Sequence, residues 1–416
     1  MNTLVATHQP PAQSRPARLL IGLFLVLFIV SCIFDPADRV LSLKVPLFVA
    51  CWGLTAMEAL VRQDPIRLPR ELLVYTLLFV AIPFASIVGY FAAHGGQPYE
   101  GFTLLKGYVL ISLGALLYIN RIDVLPQLAA VLTLLALLIL GVLVAITLFP
   151  ELYDLLYIPG AATGLLFLDR RDYAGLVLLQ VYFVTSPMLV ISIAYYFHLA
   201  KTHPARRRRA FYWLLTAVSV AGMFFAGTRN NLIISILLPL SLVLLYSRSR
   251  LNGMLLAAAA AALLATAFMD EVLKLFDPSE VSNFTKLSLL QDYAQTLSDP
   301  VGLLAGSGLG AYQFWDAKGM SFFISELTFL EMIRNFGLFG ALLMLALLLY
   351  PLVYAFVMKP RFGQRHIVLA YGFYLLMCIS NPNLFSSMGI LILSVVLANL
   401  FRLEREPAAR LWSRAT

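Results

Sequence analysis

Apolar and polar positions alternate along this chain on a coarse scale, with apolar runs of roughly 15–25 residues separated by short charged segments. A helix of that length spans the hydrocarbon layer of a bilayer. The pattern predicts spans at about 19–34, 43–61, 72–92, 102–119, 126–149, 177–198, 210–226, 231–247, 254–269, 328–358, 367–380 and 388–402. It therefore predicts an all-α, polytopic integral membrane protein with about 12 transmembrane helices, residues 1–416 forming one transmembrane domain. The run from 328 is long enough to tilt or bend near Gly337 and Gly340. The chain is polar through Pro16 and then turns apolar, which resembles a signal peptide, with "IVSC" ending at Cys32 loosely like a lipoprotein cleavage box. The number of spans that follow favours an uncleaved first helix.

Two connections are longer than a turn. One covers 150–176 and contains "LYIPGAATGLLFLDRRDYAG". The other, 270–327, opens with amphipathic helical spacing and continues glycine-rich with aromatics. Long loops on a compact scaffold are where function tends to sit.

Composition supports a membrane protein, with 61% hydrophobic and 12% charged residues. A soluble domain sits nearer ~45–50% and ~25%. The formal net charge of +8 is not a nucleic-acid signature, because the cations gather in alternate loops. Segments holding Arg15 and Arg18, Arg62 to Arg70, Arg121, "KTHPARRRR" at 201–209, Arg248 and Arg250, "KPRFGQRH" at 359–366 and Arg402 to Arg414 contain 20 of the 30 cations. The positive-inside rule makes that side cytoplasmic, with both termini. Arg39, Lys44, Lys106, Arg170, Arg171, Arg229, Lys274, Lys286, Lys318 and Arg334 fall on or near the opposite face. An anionic ligand is one reason for cations to be kept there.

Cys32, Cys51 and Cys378 are dispersed in or beside apolar runs and suggest neither a disulfide framework nor a metal site. No CxxC, HExxH or Walker-type loop occurs, so neither metal nor cofactor is expected.

Candidate chemistry lies on the outer side. In "FFAGTRNNLIIS", 224–235, Arg229 sits at the tip of a tight apolar hairpin. Its planar fork suits bidentate phosphate binding; snorkelling to headgroups or a salt bridge is the plainer reading. In "LDRRDY", Arg170 and Arg171 form a phosphate clamp or a cluster neutralised by Asp169 and Asp172. Lys106, one turn inside its span, faces a cavity or snorkels, and Lys286 lies on the amphipathic part of the large loop. "GSGLGAYQFW", from Gly306, has glycines at alternate positions, including Gly308, followed by Tyr312. That spacing implies a tight turn or a close approach of backbone to a ligand. In "ISELTFLEMIRNFGLFG", Glu331 and Arg334 are i,i+3 neighbours able to pair. Glu326 stands where the loop enters the membrane, either as a helix-terminal acid or as a partly desolvated general base. His94 is the one histidine on this side.

Together these segments resemble the O-antigen ligase/polymerase family of membrane glycosyltransferases. "AGTRNN" resembles that family's Gly-Ser-Arg signature at a periplasmic hairpin, and "DPVGLLAGSGLGAY" its proline- and glycine-bearing loop motif. "ELTFLEMIRNFGLFG" is similar to its His-Asn-x-x-Leu segment and Gly-x-x-Gly helix, with Glu326 in the histidine's place and Leu330 in the leucine's. Motif detail covers about 224–345.

The resemblance implies transfer of a glycan from undecaprenyl diphosphate at the periplasmic face of the bacterial inner membrane, without metal or nucleotide sugar. It implies Arg229 as a ligand of the diphosphate, Lys286 as a second loop cation, and Arg170 and Arg171 by location. Lipid-linked glycans would be donor and acceptor, with a chain-length regulator and a flippase as further partners. Ligases of the family depend on the large-loop histidine, so glutamate at 326 favours a polymerase over a ligase acting on lipid A–core. A twelve-helix secondary transporter is the rival class, though no inverted repeat or mid-membrane acidic pair is visible.

Overall fold

The computed structural model describes residues 15–402, apart from 64–65, 95–98, 174–175, 317–318, 359–362 and most of 248–280. The expected span 254–269 falls largely outside the described residues, as do Lys274 and Lys318. Helices dominate the rest. In chain order they are α1 (Arg15–Phe34), α2 (Lys44–Arg62), α3 (Arg70–His94), α4 (Tyr99–Val109), α5 (Ser112–Asn120), α6 (Leu125–Leu148) and α7 (Leu152–Thr163). After strands β1 (Leu166–Tyr173) and β2 (Leu176–Phe183) come α8 (Leu189–Thr202), α9 (Arg206–Phe225) and α10 (Arg229–Tyr246). Next are α11 (Val281–Thr296), α12 (Pro300–Ala305), short strands β3 (Gln313–Trp315) and β4 (Met320–Phe322), α13 (Thr328–Val353), α14 (Arg365–Met377) and α15 (Ser387–Arg402). Among the described residues, seven helices are long and apolar enough to cross a membrane, and α14 and α15 are shorter apolar helices.

One expectation needs correction. The run 177–198 is not one helix: Leu176–Phe183 pairs antiparallel with Leu166–Tyr173, and the α-helix resumes at Leu189 after a 3-10 turn at Ser186–Met188. Val177, Val181, Tyr182, Phe183 and Val184 are β-branched or aromatic, residue types that favour strands, and the run pairs in register with the preceding strand. The run 102–119 falls in one candidate span, Tyr99–Asn120, within which a turn between Val109 and Ser112 separates α4 from α5.

Small side chains and buried phenols hold the helices together. The Gly222 backbone of α9 lies so close to α6 that a Cβ there would meet the Ala136 methyl at 2.6 Å. Such small-on-small contacts let helix backbones approach without a hydrophobic driving force. Along α3 and α13, Tyr75 Oη donates to Leu347 O (2.8 Å) while Ser86 Oγ donates to Asn335 O. Residue numbers rise in one helix as they fall in the other, so the pair is antiparallel. Tyr371 Oη in α14 donates to Leu348 O of α13 at 3.0 Å. Each phenol hides its hydroxyl by donating to a carbonyl of the neighbouring helix, as apolar surroundings demand.

The β1–β2 hairpin, the end of α3, the start of α4, the start of α10 and the described part of the segment 281–327 converge at one end of the bundle, termed here the hairpin end. The α1–α2 turn belongs to the same end. Its Asp35 carboxylate accepts from the backbone N–H of Arg39 (2.9 Å), Val40 (3.0 Å) and Leu41 (2.6 Å). Lys44 Nζ closes the turn on Pro36 O at 2.7 Å. Burial works against ionisation of Asp35, but the three N–H donors outweigh it and hold the carboxyl below its ordinary value.

A depressed value in the folded state gives stability that is complete above the unfolded carboxylate value of about 4 and is lost as pH falls through the folded one. Hydrogen exchange at Arg39, Val40 and Leu41, corrected for intrinsic rates, is therefore expected to be slow at neutral pH and to quicken on strong acidification. Asp35→Ala is expected to exchange fast at every pH; unchanged protection in that variant would refute the carboxylate clamp.

Candidate functional site

The glycine-alternating stretch wraps the mouth of α13. Gly306, Gly308 and Gly310 all have positive φ, at 80°, 95° and 88°. A Cβ on Gly308 would strike Tyr90 Cβ at 2.3 Å, and one on Gly310 would strike the backbone N of Gly101 at the same distance. Gly337, at φ 68° within α13, lies against the carbonyl of Leu304, where a Cβ would stand 2.1 Å away. The close approach that the spacing implies is thus between this strand of backbone and helices α3, α4 and α13. Ser307 N donates to Arg334 O (2.6 Å), and Leu309 N to Ser86 Oγ (2.9 Å).

Arg334 stands under this stretch and is 0% exposed. Its Nε and Nη2 make a bidentate pair with Glu331, at 3.0 and 2.5 Å. Nη1 donates to Ala311 O (3.0 Å) at the end of the glycine stretch, and Nη2 also to Phe323 O (3.2 Å) just beyond β4. Glu331 further accepts from Tyr293 Oη of α11 at 2.5 Å and from Asn335 Nδ2 at 3.2 Å. Burial, and the Glu331 carboxylate beside it, push the Tyr293 phenol well above its usual range, so it stays protonated and donates. Tyr293, Leu289 and Trp315 pack into a small apolar cluster that fastens α11 to β3. Arg334, one of the outer-face cations for which an anionic ligand is one reason, directs its guanidinium into this clamp.

Arg229 occupies the first turn of α10. Thr228 caps the helix by accepting from Asn231 N (3.2 Å), and the preceding Gly227, at φ 71°, lies against Gln180 of β2. A Cβ on Gly227 would meet Gln180 Cγ at 2.6 Å. Asn231 Nδ2 donates to Ser186 Oγ at 2.9 Å and fixes the helix start to the end of the hairpin. From there contacts run to the mouth of α13. Tyr182, two residues along β2 from Gln180, accepts from Asn381 Nδ2 (3.2 Å), and Asn381 O accepts from Thr328 Oγ1 (2.9 Å). Asn383 Nδ2 reaches Val184 O at 3.3 Å. Thr328 opens α13 two residues after Glu326, whose carbonyl accepts its N–H at 3.1 Å.

The arginine turn and the glutamate at the helix mouth thus share one end of the bundle, linked through β2 and the Asn-Pro-Asn segment. Glu326 is half-buried and precedes α13, whose N-cap position is Leu327, so it is neither the cap nor a first-turn acid. Sequence reasoning passed over Gln180, Tyr182, Asn381 and Asn383. The available signal was "NPN" at 381–383, three helix-breaking residues inside an apolar stretch.

The other candidates spread around this end. Arg170 is exposed on β1, with its guanidinium 5.7 Å from the centre of the Tyr153 ring. Arg171 follows it in β1, in register with Leu178 of β2. Lys106 is exposed in the last turn of α4, beside Gly107, where a Cβ would meet Phe385 O at 2.8 Å. Lys286 is half-buried on α11, one turn before Leu289 and two before Tyr293, on the face that docks. Tyr312 is exposed, with Oη 3.1 Å from a Glu100 oxygen; that hydrogen bond, with desolvation, holds its phenol above the ordinary value. His94 ends α3. Arg229 lies beside β2 through the Gly227–Gln180 contact and Arg170 and Arg171 are on its partner strand, Glu326 is joined to β2 only through Thr328 and Asn381, and Arg334 and Gly308 belong to the packed loop.

Compared with models of known protein families and with curated proteins, the chain matches none.

A buried arginine stripped of its carboxylate leaves an unpaired charge, at a cost of about 3–5 kcal/mol. Glu331→Leu and Arg334→Met are each expected to lose stability of that order, while the double variant loses less than the sum, with a coupling of about 1–3 kcal/mol. Unfolding in detergent, followed by tryptophan fluorescence, tests this; strictly additive losses would show that the pair does not act as a unit.

Proposed function

We propose that the protein is a membrane glycosyltransferase that polymerises surface polysaccharide, moving a glycan from undecaprenyl diphosphate to another lipid-linked repeat. The observation that carries the reading is the placement of Arg229. It combines a guanidinium with the positive end of an 18-residue helix, and Glu326 stands just before the N-cap of α13 at the same end of the bundle. Helix N-termini favour phosphate through their N–H groups and dipole, and arginine adds a planar, bidentate partner. The order of the motifs from "AGTRNN" to "MIRNFGLFG" adds the resemblance to the O-antigen ligase/polymerase family.

In the proposed topology twelve segments cross the inner membrane. They are α1, α2, α3, α4 with α5, α6, α8, α9, α10, the run 254–269, α13, α14 and α15. The arginine-rich connections face the cytoplasm and the hairpin end faces the periplasm. The carrier lipids enter sideways between helices.

Glu326 takes the proton from the acceptor hydroxyl, whose oxygen attacks the anomeric carbon of the donor sugar from the face opposite the diphosphate. The bond from that carbon to the phosphate oxygen breaks, its electron pair leaves with undecaprenyl diphosphate, and the configuration inverts. Arg229 neutralises the charge that grows on the diphosphate, assisted by Arg170 and Arg171 from the hairpin and by Lys106. Because diphosphate is a good leaving group, positioning and charge neutralisation are the main demands on the protein.

Complementation of a deletion strain, read as a glycan ladder on gels, tests the proposal. Arg229→Ala is expected to lower chain formation by about 10²–10³-fold, and Arg229→Lys by less, since it keeps charge but not the fork. Glu326→Gln is expected to lose at least about 10²-fold while the protein still inserts. A deletion strain limited to single repeats supports a polymerase, and long chains retained on the carrier would make it a ligase instead. A normal ladder in the deletion strain would end both readings, and full activity in Glu326→Gln would end the role of that carboxylate.

A further inference from the structure

The segment between α10 and α13 has a cavity of its own, on the wall formed by α11 and β3. It measures about 380 Å³ and is lined by Asp292, Gln295, Thr296, Gln313, Phe314 and Asp316. That volume is within the range of small-ligand sites, which begin at about 300 Å³. Asp292, Gln295 and Thr296 fall at i, i+3 and i+4 on α11 and share one face of the helix. Tyr293, the next residue along, turns to the Glu331–Arg334 clamp, so the cavity lies outside the site described above.

Two features mark it as a built site. Asp292 is 8% exposed, and its Oδ2 is buried with no hydrogen-bond partner. A carboxylate oxygen withdrawn from water and left unpaired is costly, and a ligand that donates to it removes that cost. Phe314 is 55% exposed beside it, and an apolar ring face next to hydrogen-bonding groups matches the mixed faces of a sugar. Among the described residues the lining has no cation to receive a phosphate. It offers carboxylate, amide and hydroxyl groups, which suit a ligand rich in O–H donors. A divalent cation would call for a denser set of charged ligands, and among the described residues no three of Asp, Glu, His and Cys gather to hold one.

We propose that this cavity binds carbohydrate: a sugar of the glycan, with hydroxyls donating to Asp292 and Asp316 and a ring face on Phe314. Gln295 and Gln313 supply further amide groups for its hydroxyls. The identity of the sugar as part of the transferred glycan rests on the proposed glycosyltransferase function; the cavity's preference for carbohydrate does not. Such a site, apart from the reacting centre, holds the chain beyond the sugars being joined.

The test uses the full chain in nanodiscs and, as probe, lipid-free oligosaccharide released by mild acid from the carrier-lipid pool of the cells that make the protein. Titration calorimetry is expected to show binding that Asp292→Asn and Phe314→Leu each weaken by about ten-fold or more, with thermal stability unchanged. In the complementation strain the same variants are expected to shorten the modal glycan chain while first-repeat transfer continues. Binding unaltered in both variants overturns the proposal, as does the absence of oligosaccharide binding by the wild-type protein. Oligosaccharide binding without any effect of the deletion on the glycan ladder leaves the carbohydrate site standing and removes the polymerase reading. Terbium luminescence provides the remaining outcome: metal binding that Asp292→Asn abolishes, with no oligosaccharide bound, makes the cavity a cation site and overturns the proposal.

Discussion

A guanidinium sealed from water needs a full set of acceptors, and Arg334 finds them in three pieces of chain at once. The pair with Glu331 lies within α13, the bond to Ala311 fixes the end of the glycine stretch, and the bond to Phe323 fixes the segment after β4. Glu331 in turn receives Tyr293 and so brings α11 into the same knot. Among the described residues, the long segment from 281 to 327 has little apolar core of its own, a cluster of three fully buried side chains. Its position over the helices depends on this clamp. The order it imposes carries outward to Glu326, which lies between Phe323 and the first turn of α13.

The second constraint is the absence of side chains where backbone meets backbone. At Gly310 against Gly101, and at Gly337 against Leu304, nothing larger than hydrogen fits. These contacts act with the charged clamp: glycine lets the strand of backbone descend to the level where Ala311 can meet Arg334. Near Arg229 the arrangement repeats on a smaller scale, with Gly227 against Gln180 and a threonine cap starting the helix. In both places a glycine contact sets the depth and a polar side chain sets the register.

Much of this was legible in the sequence, for a physical reason. Membrane spans depend on length and apolarity, which one sequence displays directly, and Glu331–Arg334 pairing follows from helical spacing. The β1–β2 hairpin is not legible, because "LVLLQVYF" is apolar at every position but Gln180 and shows no polar alternation, so eight such residues read equally well as helix. Which surface the alternating glycines approach was also hidden, since φ and spacing require a close neighbour without naming it. The Asn381–Tyr182 and Asn383–Val184 contacts join residues 199 positions apart. The asparagines could be seen as breakers in an apolar run, but their partners belong to a strand that periodicity had assigned to a helix.

A loop anchored by glycines and by carbonyl groups is held through atoms that nearly every residue type shares. Its outward face, including Phe314 and Asp316, takes no part in that anchorage. Scaffold and outward surface are thereby uncoupled along a single stretch of chain. A lineage can exchange the outward side chains one by one while the weld beneath keeps its geometry.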